Sequence, residues 1–320
     1  MKELRLAPHN AFTRQTRILG KPGMEAQITL ETVGCNHGKC TFCGLGKTDS
    51  RFKEPLGRKG LMSQLKWAKD ALEQEMPSIR KASVLINSHS VFESDVIRYR
   101  ALIKGMHFII NNFPALAQLS LESRANLITK GEISKITRAL GYPPLNFMEL
   151  AVGIESGTEW VRQRQMRKGL TDVRIYETAH ILAEYGWAMR AYFIYNCPGR
   201  PFEARTEDFK LMARLLAELK KETGVTLTLY ANRGYVPEGL ESRFRDFRIA
   251  NEHETIKDIA AAAKLCKDAG VTLDADVTGS DEALTHASAL EIKPGFAQAV
   301  SEFNAAQEIG ALLGWLSRSR

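Results

Sequence analysis

The sequence predicts an α/β chain whose parallel strands, joined by helical crossovers, make a partial barrel or an open sheet. Three observations predict it. Short apolar, β-rich runs recur from residue 27 onward, and the longer segments between them return apolar residues every three to four positions. The chain has 320 residues, 44% of them apolar and 25% charged, enough for one large core. A prior of about 150 residues per domain suggests two domains, but α/β barrels run to roughly 250 residues as one unit.

Taken in order, residues 1–24 read as an N-terminal extension. Strands are expected at 27–33 (QITLETV), 83–86 (SVLI), 118–122 (QLSLE), 147–154 (FMELAVGI), 188–195 (AMRAYFIY) and 226–230 (TLTLY). Helical periods fill 62–75, 93–112, 171–185 and 201–223. The third has Thr171 as N-cap, Asp172 in its first turn and Gly186 just past its end. Connections of this length imply right-handed crossovers between parallel strands, which puts functional residues on the loops after the strands' C-terminal ends. Residues 25–240 form this core. Residues 241–320, with a helix at 254–269, a short strand at 271–275 and an amphipathic run at 296–317, form a cap packed on the same domain.

Lys and Arg number 44 against 37 acids, a net charge of +7 that suits nucleic acid, acidic cofactors or neither. Met1-Lys2-Glu3-Leu4-Arg5 has no apolar signal-peptide core, and no run approaches about 18 uncharged apolar residues. A reducing, cytoplasmic setting without membrane contact is the expectation. Three of the five cysteines, Cys35, Cys40 and Cys43, fall within nine residues directly after the first expected strand. That is poor disulfide geometry and good metal geometry. Gly34, Gly38, Gly44 and Gly46 let the backbone approach such a centre. A structural zinc site needs a fourth ligand, which His37 would supply. A 4Fe-4S cluster with three ligands keeps one iron open.

These motifs resemble the radical S-adenosylmethionine (SAM) superfamily. Its three cysteines after the first barrel strand, usually spaced x3 and x2 with an aromatic before the last, hold a 4Fe-4S cluster whose open iron chelates SAM. Here the first spacing is one residue longer, and Phe42 keeps the aromatic place. The stretch Ile86-Asn87-Ser88-His89-Ser90-Val91-Phe92 stands where many members carry Gly-Gly-Glu. It looks more like the Gly-Ser-Phe variant of the elongator catalytic subunit and the archaeosine-synthase partner, with His89 in place of the glycine, so that backbone carbonyls, Ser88 or Ser90 would receive the SAM ammonium. Leu121-Glu122-Ser123-Arg124 is similar to the Glu-Ser-Arg of those subfamilies. Glu122 would accept from an ammonium, and Arg124 would pair with a carboxylate. Gly153-Ile154-Glu155-Ser156-Gly157, followed by Lys168-Gly169-Leu170-Thr171, would set Glu155 and Ser156 near the SAM ribose. Tyr195-Asn196-Cys197-Pro198-Gly199 resembles the closing Pro-Gly segment. The resemblance covers roughly residues 25–235 and implies a partial (β/α)6 TIM-type barrel with a C-terminal cap.

Each residue also has a plainer reading. Glu122 with Arg124 would be a surface ion pair of little energetic weight, and Glu155 a helix cap. His37 and His89 would pack loops. Arg162, Arg164, Arg167 and Lys168 would form a solvated helix face, or bind phosphate. Cys266 belongs to a helical core. Cys197 would be a small buried hydrophobe, or a thiol opening toward the SAM pocket at a strand end.

The function expected is that of a radical SAM enzyme using a 4Fe-4S cluster, SAM and an external one-electron donor of flavodoxin or ferredoxin type. The leading substrate is a small molecule in a biosynthetic pathway. Its more specific form is non-canonical 3-amino-3-carboxypropyl transfer to a heteroatom such as arsenic, with arsenite captured by Cys197. A tRNA-base-modifying enzyme is the alternative, although the sequence shows no appended RNA-binding module. A zinc-stabilised nucleic-acid-binding protein is the alternative of another class.

Overall fold

The structure is a computed structural model and describes residues 7–43, 52–86, 90–234, 236, 242–276 and 295–319. Its strands are β1 (Asn10–Ile18), β2 (Lys21–Leu30), β3 (Ile79–Ile86), β4 (Gln118–Ser123), β5 (Met148–Glu155), β6 (Ala188–Tyr195), β7 (Leu227–Arg233) and β8 (Thr272–Asp276). Helices alternate with them from β2 onward: α1 (Arg58–Ala71), α2 (Tyr99–Asn112), α3 (Lys130–Ala139), α4 (Asp172–Glu184), α5 (Arg205–Thr223) and α6 (Glu252–Asp268). After β8 come α7 (Phe296–Ala306) and α8 (Gly310–Arg318). The eight strands follow chain order in one sheet, and pairs β2–β3, β3–β4, β4–β5 and β7–β8 are parallel. This is the α/β order of a partial TIM-type barrel.

The sequence reading missed two elements. β1 pairs antiparallel with β2 across a turn at Leu19 and Gly20, both left-handed at φ 48° and 78°, as primed hairpin turns require. Its residues lie within 1–24, and their half-buried, arginine-rich pattern hides the alternation. α3 starts at a capping box in which Thr129 Oγ1 accepts from the Glu132 N–H (3.2 Å) and the Glu132 carboxylate accepts from the Thr129 N–H (3.1 Å). One expected element divides in two: the run at 296–317 breaks at Gln307, whose φ of 61° stops α7.

Two compact units emerge. The first comprises Met1–Gly38, Leu45–Val152 and Glu177–Met189; the second Lys39–Gly44, Gly153–Tyr176 and Arg190–Arg320. In the first, register separates the two faces of the strands. Ala26, Ile28, Ala82, Val84, Leu119, Leu121 and Leu150 lie on one face, whereas Glu25, Gln27, Lys81, Ser83, Ser120 and Glu149 lie on the other, and all are buried. Parallel strands buried on both faces usually carry branched aliphatics throughout. Here one face is polar and internally paired: Lys81 Nζ meets Glu149 Oε2 at 2.6 Å, and Arg14 Nη2 meets Glu25 Oε2 at 2.8 Å. At the end of α4, Gly186 takes φ 69° and the Trp187 N–H donates to the Leu182 carbonyl (2.9 Å), as the expected helix stop requires.

In the second unit, β7 and β8 bury Leu229, Ala231, Leu273 and Ala275 on one face. On the other, Tyr230 OH donates to Asp276 (2.8 Å). The Tyr195 hydroxyl donates to Asp258 of α6 (2.8 Å), and that burial beside a carboxylate pushes the phenol well above its usual range. Asn304 and Gln307 each use both ends of their amide on the β8 backbone, at Ala275 and Leu273 respectively, with contacts of 2.7–2.9 Å. Among the described residues no helix is long and apolar enough to cross a membrane.

Candidate functional site

Cys35 belongs to the first unit, and Cys40 and Cys43 to the second. All three follow β2 on irregular backbone, all are half-exposed, and none of the five cysteines is in a disulfide. Gly38, between the first two, takes φ 54°. Among the described residues no three His, Cys, Asp or Glu side chains are already gathered as a metal-binding set. Three accessible thiols on non-repetitive backbone fit a centre that orders its own loop on binding.

In the second unit the loop is anchored beside those cysteines. Thr41 donates its N–H to the Met166 carbonyl (3.0 Å) and its hydroxyl to the Gln165 carbonyl (2.8 Å). The Phe42 ring lies 5.7 Å from the Lys168 ammonium, within cation–π range. Lys168 Nζ also donates to Glu155 Oε1 at 2.9 Å, and the two side chains are only 9% and 11% exposed. Glu155 has φ 71°, a left-handed conformation that is rare for an L side chain and concentrates at functional sites. Gly153 leaves room for the pair: a Cβ there would stand 2.8 Å from Lys168 Nζ and would overlap Glu155 Oε1 outright.

The turn from Glu155 to Asp172 is organised by Arg162, a residue expected on a solvated basic face. The structure corrects that expectation, because Arg162 is 0% exposed. Its guanidinium donates to the carbonyls of Ser156 (2.6 Å) and Leu170 (3.2 Å) and to the Asp172 carboxylate. Lys168 is likewise buried, whereas Arg164 and Arg167 are exposed as expected. Ser156 is buried, and its hydroxyl accepts from the Thr158 N–H (3.2 Å). A π-helical turn, Val161–Gln165, lies within this segment.

Cys197 is 6% exposed and packs with Val161, Met166, Phe42 and Ile194, as the buried-hydrophobe alternative expects. Burial, reinforced by the charges of Glu155 and Asp208 against the opposing Arg200, pushes its thiol far above the ordinary range. Such a thiol is a poor nucleophile. Arg200, unremarked in the sequence, fixes the Pro-Gly turn by pairing with Asp208 at 2.5 Å and donating to Gln165 at 3.1 Å. Asn196 beside it is left-handed at φ 56°.

In the first unit the strand-end residues are engaged with backbone and one another. Glu122 Oε2 accepts from the Ile86 N–H at 2.9 Å. Ser123 Oγ donates to Ser90 Oγ at 2.7 Å, and the Phe92 N–H donates to Ser90 Oγ at 3.1 Å. Arg124 is half-buried, and its charge acts on Glu93, whose carboxyl burial and Asp95 push up. Ser88 and His89 lie outside the described residues. Thr41, Arg162, Lys168 and Glu93 carry no local motif that announces these roles, since each depends on a tertiary partner.

No family model matches the chain. An uncharacterized protein of Methanocaldococcus jannaschii is 24% identical over 175 residues, 54% of this chain and 46% of that one. Archaeosine synthase subunit beta of Methanosarcina acetivorans is 23% identical over 193 residues, 58% of this chain and 52% of that one. The chain thus spans about half the length of the curated relatives it matches. With SuiB of Streptococcus suis bound to S-adenosylmethionine, the TM-score is 0.50 at 13% identity, covering 80% of this chain and 50% of that one. The fold of the chain is thus similar to that of SuiB.

Proposed function

We propose that this chain is a radical SAM enzyme in which Cys35, Cys40 and Cys43 hold a 4Fe-4S cluster that binds S-adenosylmethionine through an open iron. The observation that carries the reading is three accessible, undisulfided thiols on the loop after β2, in a chain whose fold is similar to that of SuiB. When bound and reduced, such a cluster would supply one electron for cleavage of a sulfonium C–S bond, leaving a neutral thioether and a carbon-centred radical.

The rest is the work of this chain's side chains. Glu155, held at one carboxylate oxygen by Lys168, presents the other to a ribose hydroxyl. Phe42 and the buried apolar cluster around Cys197 exclude water from their side of the site. Arg124 is the candidate for the amino-acid carboxylate, and Ser88, Ser90, Glu122 and Ser156 for the remaining polar contacts of the cosubstrate. A flavodoxin- or ferredoxin-type protein supplies the electron.

The leading substrate is a small molecule of a biosynthetic pathway. Transfer of a 3-amino-3-carboxypropyl group to a heteroatom such as arsenic is its more specific form. The burial of Cys197 counts against arsenite capture by that thiol. A second reading, tRNA modification, is favoured by the match to archaeosine synthase subunit beta.

Anaerobic reconstitution tests the proposal. About four irons per chain with absorbance near 400 nm are expected, against a colourless protein with one zinc, which would sink it. After reduction with SAM, 5'-deoxyadenosine reports the usual cleavage and methylthioadenosine the other. Salt-sensitive retention of tRNA at physiological ionic strength would favour the second reading.

A further inference from the structure

We propose that Lys168 is a positioning residue that latches the cysteine loop to Glu155, so that one buried ammonium sets both. The inference rests on the radical SAM reading and deepens it. Lys168 lies on the loop before α4, and its chain enters the protein instead of pointing to solvent. There it makes two contacts of different chemistry: an ion pair with Glu155 Oε1 at 2.9 Å and a cation–π contact with Phe42 at 5.7 Å.

Those contacts join segments far apart in sequence. Phe42 lies between Cys40 and Cys43, and Glu155 ends β5. The Thr41 bonds to Gln165 and Met166 hold the same loop to the turn that carries Lys168. Arg162 in turn fixes that turn from inside, and the Lys168 N–H donates to the Arg162 carbonyl at 2.8 Å. Displacing the ammonium therefore loosens the loop at Phe42 and unties the Glu155 carboxylate together, with the Thr41 bonds left to hold the loop.

A structural salt bridge alone does not require this arrangement. Burying a lysine and a glutamate costs desolvation free energy that apolar residues of similar volume would avoid. The pair further depends on a left-handed Glu155 and on the missing side chain of Gly153. Local strain of this kind persists where geometry matters more than stability. The aromatic contact gives the lysine a second function that a methionine at the same place would lack.

The test uses the full chain and the variants K168M and K168R, read out by amide hydrogen exchange at Thr41, iron content and equilibrium binding of SAM. K168M is expected to hold wild-type iron, to bind SAM about 10- to 100-fold more weakly, the range for groups that orient a ligand-contacting residue, and to exchange the Thr41 amide faster. K168R keeps the charge and is expected to restore both. Wild-type SAM affinity with slow Thr41 exchange in K168M overturns the latch, as does failure of K168R to restore either property. If K168M does not fold, F42L serves instead: accelerated exchange at Thr41 supports the latch, and unchanged exchange overturns it. A wild-type chain that holds neither iron nor SAM would remove the enzyme reading, while the exchange result would still decide the latch.

Discussion

Two buried lysine–glutamate pairs make an instructive contrast. Lys81 and Glu149 meet at 2.6 Å with exposures of 2% and 1%, and Lys168 and Glu155 meet at 2.9 Å with exposures of 9% and 11%. Lys81 and Glu149 stand on strands whose β3–β4 and β4–β5 pairings keep regular parallel register, and neither has a positive φ. The second pair needs a left-handed glutamate and a neighbouring glycine without room for a methyl group. Burial of opposite charges is therefore common to both, and backbone distortion separates them. Since a buried ion pair is weak evidence of anything by itself, it is the distortion that marks the second as the candidate site.

The largest expected effect establishes which side of the contrast carries chemistry. Replacing Cys35, Cys40 or Cys43 by serine should abolish the iron–sulfur absorbance and the SAM cleavage that depends on it, measured on anaerobically reconstituted protein. Next, the two glutamates should separate. E149Q is expected to lower unfolding free energy by about 3–5 kcal/mol by stranding Lys81, while the folded fraction keeps its kcat/KM. E155Q is expected to lose about 10- to 100-fold in kcat/KM with a smaller loss of stability. Urea titration and initial rates distinguish them, and identical behaviour of the two variants would erase the contrast.

A third effect is steric. G153A places a methyl group against the ends of the Glu155 and Lys168 side chains, which must shift, and should weaken SAM binding with only a small loss of stability. The smallest effect concerns thiols. Burial raises Cys266 to about 12 and pushes Cys197 up as well. The folded state keeps these thiols protonated, whereas the unfolded chain ionises them above about 8.5, so their contribution is complete below that pH and is lost as pH rises toward the folded values. For Cys266 the loss is about 1 kcal/mol between pH 8 and 9.5. Urea midpoints at the two pH values should show it, and C266A should remove that part of it. Iodoacetamide should leave Cys197 of the native protein unmodified at pH 8.

What the sequence made legible follows from how local each signal is. The run AMRAYFIY is buried along its length and reads as a strand with the bounds β6 has. The Thr171 cap and the Gly186 stop are local chemistry and stand where expected. α3 was equally local through Thr129 and Glu132, and could have been read from its capping box. β1 was not legible, since its residues are half-buried and its partner strand is what makes it a strand. For the site, the cysteines and Glu155 were visible as motifs. Lys168 was visible only as the start of the Lys168-Gly169-Leu170-Thr171 motif, and its burial, like that of Arg162, was not, because a basic residue in a polar run reads as solvated until Ser156, Asp172 and Glu155 surround it.

β8 is the last strand of the sheet, and strand edges of that kind recruit other chains. Asn304 and Gln307 occupy its open side with side-chain amides, each offering one donor and one acceptor at successive outward-facing residues, as a neighbouring strand's backbone would. Asn304 of α7 and Gln307 just past its end thus stand in for a neighbouring strand at Leu273 and Ala275 and take up those backbone groups of β8.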